Sequence, residues 1–229
     1  MSRFWALATA ALGVATLAVV AAFGMLPAVR AAYPNGDFTA ALSAFQHATS
    51  MEQLYGLFGN PADPGKLAAM TAGNTLDLFV FIPTYGAFML AGAAFLADGF
   101  RRPVAWIAIL PALIGLVADV LETWSQIRVT SNWGHAAASL PLVAPACWAK
   151  FFGIAFHALG CSALALLGAR KRWIIALLGL LPIIAVSADA AHALPSPMLL
   201  TASTSVFWIA LMVIGLIGAL RAPGASPPA

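Results

Sequence analysis

Several polar side chains interrupt long apolar stretches of this sequence. Two carboxylates, Asp119 and Glu122, are three residues apart, a spacing that places both on one face of a helix. Ionisable groups within apolar helices usually mark an ion or solute pathway, a ligand site or a buried ion pair. We therefore treat one set as candidate site residues for binding or an ion pathway: Asn74, Asp77, Asp119, Glu122, Lys150, Asp189 and His192.

The composition is that of a membrane protein. Of the 229 residues, 62% are hydrophobic and 8% are charged, with a mean hydropathy of +0.93. Soluble domains are about one quarter charged. The basic residues lie mainly at the ends of apolar segments, so the net charge of +3 indicates membrane topology and no nucleic-acid partner.

Six apolar segments each approach the ~20 residues that a helix needs to cross a bilayer. They predict an all-α integral membrane protein, with residues 1–221 forming a single six-helix transmembrane domain and 222–229 a disordered tail. The predicted helices cover residues 4–27, 68–97, 103–127, 141–168, 172–194 and 197–220. We expect the first helix to be retained, because its apolar run exceeds the ~7–15 residues of a signal peptide.

A segment at residues 37–59 is amphipathic instead. Its two apolar stripes do not share one helical phase, which predicts a break near residues 47–50. Ser50 and Gln53 have the spacing of a capping box and can begin a second short helix. This segment would lie on the outer membrane surface, either as a lid or simply as an interfacial connector.

The distribution of basic residues predicts the orientation. With six helices, one side receives seven basic residues and the other three, so both termini are placed in the cytoplasm and the protein in the cytoplasmic, or inner, membrane. The seven are Arg3, Arg101, Arg102, Arg170, Lys171, Arg172 and Arg221, and the three are Arg30, Lys66 and Arg128.

The candidate residues are predicted to meet at one depth. At ~1.5 Å per residue, Asp77 lies roughly 10–13 Å below the outer end of its helix, and Asp119 and Glu122 lie within about 12 Å of that surface. Lys150 on the fourth helix and Asp189 with His192 on the fifth fall in the same outer third. His157 is about two turns deeper than Lys150, and as a lone histidine it is expected to be a hydrogen-bonded packing residue.

The charges of these candidate residues favour a functional role over a purely structural one. Four carboxylates face one lysine, so a dry cluster would need protons, bound cations or water to balance them. We therefore expect proton- or cation-linked binding or transport of a small solute. The plainer interpretation, a structural ion-pair network around Lys150, remains open.

Two further alternatives remain. The first is an intramembrane metal-dependent hydrolase or transferase acting on a lipid, with Asp119, Glu122, Asp189 and His192 as ligands for a divalent cation such as Zn²⁺. The second is an accessory subunit of a membrane complex. Beyond the lipid bilayer, the expected partners are a second copy of the chain, as a homodimer, or a larger membrane complex. No HExxH or HxxxH motif supports the enzyme, whose catalytic residues stay unassigned.

Overall fold

The computed structural model describes residues 3–98, 102–168, 171–191 and 197–221. Within these ranges the protein is 87% helical and has no strands, which confirms the predicted all-α class. The α-helices are α1 (Arg3–Phe23), α2 (Pro27–Ala32), α3 (Phe38–Gln46), α4 (Met51–Phe58), α5 (Pro64–Leu76), α6 (Ile82–Leu96), α7 (Trp106–Ser131), α8 (Ala136–Ser139), α9 (Val143–Leu167), α10 (Trp173–Leu178), α11 (Leu181–Ala190) and α12 (Pro197–Arg221).

Six helical stretches in the described part of the chain are long and apolar enough to cross a membrane, as predicted. Their bounds are Arg3–Phe23, Pro64–Leu96, Trp106–Ser131, Trp133–Leu167, Trp173–Ala190 and Leu199–Arg221. The first is shorter than predicted: α1 ends at Phe23, and Pro27 begins the separate helix α2. Proline favours a first helical turn because its missing amide would have no partner there. The predicted tail, residues 222–229, lies outside the described residues.

The second apolar stretch contains a local irregularity between α5 and α6. Residues Asp77–Phe81 form a π-helical turn in which the Ile82 amide donates a hydrogen bond to the Asp77 carbonyl, five residues back. Pro83 follows and has no amide to continue this series. Because proline also crowds the carbonyl four residues before it, widening the preceding turn relieves the clash.

The fifth apolar stretch was predicted as one continuous helix and is divided in two. Helix α10 ends at Leu178, and Gly179 occupies its C-terminal cap. Helix α11 begins at Leu181 with Pro182 in its first turn, where a proline is tolerated. Pro182 therefore starts a new helix instead of kinking a long one. Pro111, in contrast, lies inside α7.

The amphipathic segment forms a helical hairpin, α3–α4, with the break predicted near residues 47–50. The Ser50 hydroxyl accepts from the Gln53 amide at 3.3 Å, while the Gln53 side chain accepts from the Ser50 amide at 3.1 Å, so the capping box is confirmed. Asp37 occupies the N-terminal cap of α3 but makes no capping hydrogen bond with its side chain. The hairpin buries Phe45, Leu54 and Phe58 completely.

The chain divides into two compact units. The hairpin unit comprises Thr16–Thr84 and Leu113–Gly153, and its core packs hairpin side chains against α5, α7 and α9, with Met70, Val129 and Val143 fully buried. The terminal unit comprises Met1–Ala15, Tyr85–Ala112 and Ile154–Ala229, and its core includes Phe88, Phe95 and Phe207. The single domain predicted over 1–221 stays a prediction.

Gly160 allows α9 to pack closely against α7 in the terminal unit. A Cβ built on this residue would lie 2.5 Å from the Ile107 carbonyl oxygen and 2.8 Å from the Ala108 Cα. Because both neighbours are backbone atoms, Gly160→Ala should force the helices apart and destabilise the protein by about 1–3 kcal/mol. Unfolding in detergent or lipid would measure the loss.

The control is Gly56→Ala on α4, where an added Cβ meets no atom within 4 Å. Alanine is the better helix former, so this change should be neutral or stabilising by up to about 1 kcal/mol. Equal stability of the two variants would show that α7 and α9 do not pack as described.

Candidate ion-pair site

One face of α7 carries four polar side chains that are almost completely buried. Asp119, Glu122, Thr123 and Gln126 fall at spacings of three, four and seven residues, which align them along one helix face. Within this row the Gln126 side-chain amide donates to the Glu122 carboxylate at 2.9 Å. The helix itself therefore fixes one oxygen of Glu122.

Lys150 of α9 pairs with both acidic residues of this row. Its Nζ lies 2.6 Å from Glu122 Oε2 and 3.3 Å from Asp119 Oδ1. The three side chains are at most 7% exposed. The ammonium group also lies 4.7 Å from the centroid of the Phe151 ring. Paired charges of this kind are the usual way to place a lysine and carboxylates in apolar surroundings.

Asp77 joins the same cluster from the π-helical turn. Its Oδ2 accepts a hydrogen bond from the Thr123 hydroxyl at 2.8 Å, and it lies close enough to Asp119 and Lys150 to interact electrostatically. One turn earlier, Asn74 is 1% exposed, and its side-chain nitrogen has no hydrogen-bond partner among the described residues. The hairpin unit therefore brings together three carboxylates, one lysine and a buried amide.

The hairpin contributes to the site through the end of α3. The Gln46 side chain hydrogen-bonds Glu122. The neighbouring His47 is partly buried, with its ring edge-on to Trp148 at 5.3 Å between centroids. His47 Nδ1 lies 2.9 Å from the Ser43 carbonyl oxygen. Gln46 therefore brings the hairpin into contact with the polar cluster.

For the remaining candidate residues, a place in this cluster stays a prediction. Asp189, on α11, belongs to the terminal unit, and His192 lies outside the described residues. Of the proposed zinc ligands, Asp119 and Glu122 both contact Lys150. The described residues contain no group of three or more histidine, cysteine, aspartate or glutamate side chains placed to hold a metal ion. The metal-dependent enzyme stays a prediction.

Two other histidines have local structural surroundings. His157 is completely buried, with Nδ1 3.0 Å from the Ala108 carbonyl oxygen and Nε2 3.5 Å from Cys161 Sγ. This geometry agrees with the expectation of a hydrogen-bonded packing residue. His135 is in the loop before α8 and exposed, with Nδ1 3.1 Å from Asn132 Oδ1.

Sequence reasoning identified Asn74 but missed three other neutral polar residues of the site, Thr123, Gln126 and Gln46. Thr123 and Gln126 could have been found, because they follow Asp119 by four and seven residues on the same helix face. Thr130 extends this row and accepts a hydrogen bond from the Thr71 hydroxyl of α5 at 2.7 Å. Gln46 gave no such signal, since its contact depends on how the hairpin packs.

Comparisons of the chain with protein-family models, with curated proteins and with solved structures found no match.

Removal of the lysine should show how strongly the cluster depends on it. Lys150→Met leaves Asp119 and Glu122 buried without their cation, so we expect a loss of about 3–5 kcal/mol in the free energy of unfolding. Lys150→Met combined with Glu122→Gln removes one charge of each sign and should recover part of that loss. Unfolding of the purified variants in one lipid or detergent would give the order of stability.

The matched control is Lys171→Met, since Lys171 is exposed and pairs with no carboxylate among the described residues. That change should alter stability by less than about 0.5 kcal/mol. A Lys150→Met protein as stable as this control would contradict the buried ion pairs.

Proposed function

We propose that the protein is a multi-pass protein of the cytoplasmic membrane whose polar cluster binds a proton or a cation and links it to the binding or transport of a small solute. The cluster consists of Asn74, Asp77, Asp119, Glu122 and Lys150. Both termini are placed in the cytoplasm by the distribution of basic residues, as the positive-inside rule requires. The six apolar helices support insertion into a membrane.

The observation that carries this proposal is the imbalance of charge around Lys150. One ammonium group serves three carboxylates in surroundings where an uncompensated charge is costly. Two negative charges would remain if all three acids were ionised. A proton, a cation or a polar solute can neutralise these charges. A carboxylate that more than one of them can neutralise is able to exchange one for another.

The position of the hairpin supports access from the extracytoplasmic side. Under the proposed topology, α3–α4 connects the first and second membrane helices on that side. The hairpin contacts the site through Gln46 and buries the aromatic residues Phe45 and Phe58. Movement of this hairpin would open the cluster to the outer solution, as the covering segments of other proteins do.

Vesicles with an entrapped pH indicator can test the link to protons. Reconstituted protein would be exposed to a panel of inorganic cations and small polar solutes, with or without an imposed membrane potential. We expect at least one panel member to change the internal pH in wild-type vesicles. The double variant Asp119→Asn with Glu122→Gln should retain less than a tenth of that rate, because it removes the carboxylates that balance Lys150.

The control variant is Asp37→Asn, an exposed carboxylate outside the cluster, which should match the wild type. The proposal fails if every panel member gives the same internal pH change in wild-type, double-variant and protein-free vesicles.

A further inference from the structure

The four charged residues of the cluster are not equivalent, and Glu122 is the most constrained. Its carboxylate lies 2.6 Å from Lys150 Nζ and accepts a hydrogen bond from the Gln126 side-chain amide at 2.9 Å. The Gln46 side chain forms a further hydrogen bond with it. The Glu122 side chain is 1% exposed. Charge-assisted hydrogen bonds to several donors stabilise an ionised carboxylate, and all three would be weakened by protonation. Three donors therefore compensate the ionised form of Glu122.

Asp119 shares this fixed arrangement through the lysine. Its Oδ1 lies 3.3 Å from Lys150 Nζ, and its side chain is 5% exposed. Because the ammonium group bridges Asp119 and Glu122, these three residues form a frame in which the position of each restrains the others. The frame carries one negative charge when both acids are ionised.

Asp77 differs from the frame in both contacts and exposure. Among the described residues, its side chain forms one hydrogen bond, from the Thr123 hydroxyl, and no ion pair within 4.0 Å. Protein atoms crowd it on most sides, yet the residue remains partly accessible. It is therefore the carboxylate of the cluster that combines the weakest compensation with partial exposure.

The backbone around Asp77 also departs from a regular helix. Asp77 begins the π-helical turn, and such turns are frequent at functional sites because they redirect side chains. Asn74, one turn earlier, holds a buried side-chain amide that has no partner among the described residues. An unpaired buried donor is costly, and its place on the same face as Asp77 indicates that this part of the site accommodates a changing set of polar contacts.

We infer that Asp77 is the group that takes up and releases the exchangeable proton, whereas Asp119, Glu122 and Lys150 form a permanently ionised frame that positions it. This inference rests on the proposed function and assigns the exchange to one residue. Thr123, which donates to Asp77 and lies between Glu122 and Gln126 on α7, is the positioning residue. Its hydroxyl can donate to the ionised acid or accept from the protonated acid, so it can hold Asp77 in both states.

Infrared difference spectroscopy of the full-length protein in lipid nanodiscs can test this assignment, because protonated and ionised carboxyl groups absorb differently. Spectra would be recorded on pH change for wild type, Asp77→Asn, Asp119→Asn and Glu122→Gln. Subtraction of each variant from wild type gives the signal of one residue. We expect a full carboxyl group's titration signal to be lost in Asp77→Asn, and no such loss in the other two variants.

Asp77→Glu keeps a carboxyl group at the same place and should restore a titrating signal at a shifted position, which separates loss of the group from failure to fold. Exposed Asp37→Asn calibrates the signal of one solvated aspartate. A titration signal that belongs to Asp119 or Glu122 would overturn the assignment to Asp77 and leave the proposed function standing. If none of the three contributes a titrating signal while the vesicle assay also shows no proton movement, both proposals fail.

Discussion

An ionised side chain in apolar surroundings must find compensation within the protein, and this requirement organises the hairpin unit. Lys150 supplies the compensation by bridging Asp119 and Glu122, which commits α9 to lie against the polar face of α7. The Gln126 amide then donates to Glu122 Oε1, and the Gln46 side chain also hydrogen-bonds this carboxylate. Since an incomplete polar network costs more than an apolar core, these contacts fix both the spacing and the register of the helices.

The same requirement explains why the amphipathic α3–α4 hairpin packs against the apolar helices of its unit. The α3–α4 hairpin buries complete aromatic side chains against α5, α7 and α9 and ends α3 with the glutamine that reaches Glu122. Its capping box satisfies two backbone amides at the start of the second helix. Apolar burial and one polar contact therefore act together, and a change in either alters how the hairpin contacts the cluster.

Sequence patterns were informative about class, helices and the centre of the cluster. The i,i+3 spacing of Asp119 and Glu122 and their depth relative to Lys150 predicted a meeting that the structure shows. Depth along the helix axis says nothing about which helices are lateral neighbours. For this reason the patterns could not assign Asp77 to the hairpin unit and Asp189 to the terminal unit. The division of the fifth helix near Gly179 also needed tertiary structure.

Lys150 holds Glu122 by direct contact, and solid-state nuclear magnetic resonance of the protein in lipid can measure this contact. The chain contains only Lys66, Lys150 and Lys171 and only Glu52 and Glu122, so residue-type labelling of lysine with ¹⁵N and glutamate with ¹³C gives few possible pairs. We predict a strong dipolar coupling between a lysine Nζ and a glutamate carboxyl carbon, retained in Glu52→Gln and lost in Glu122→Gln. Absence of that coupling in wild type, or its persistence in Glu122→Gln, would contradict the account.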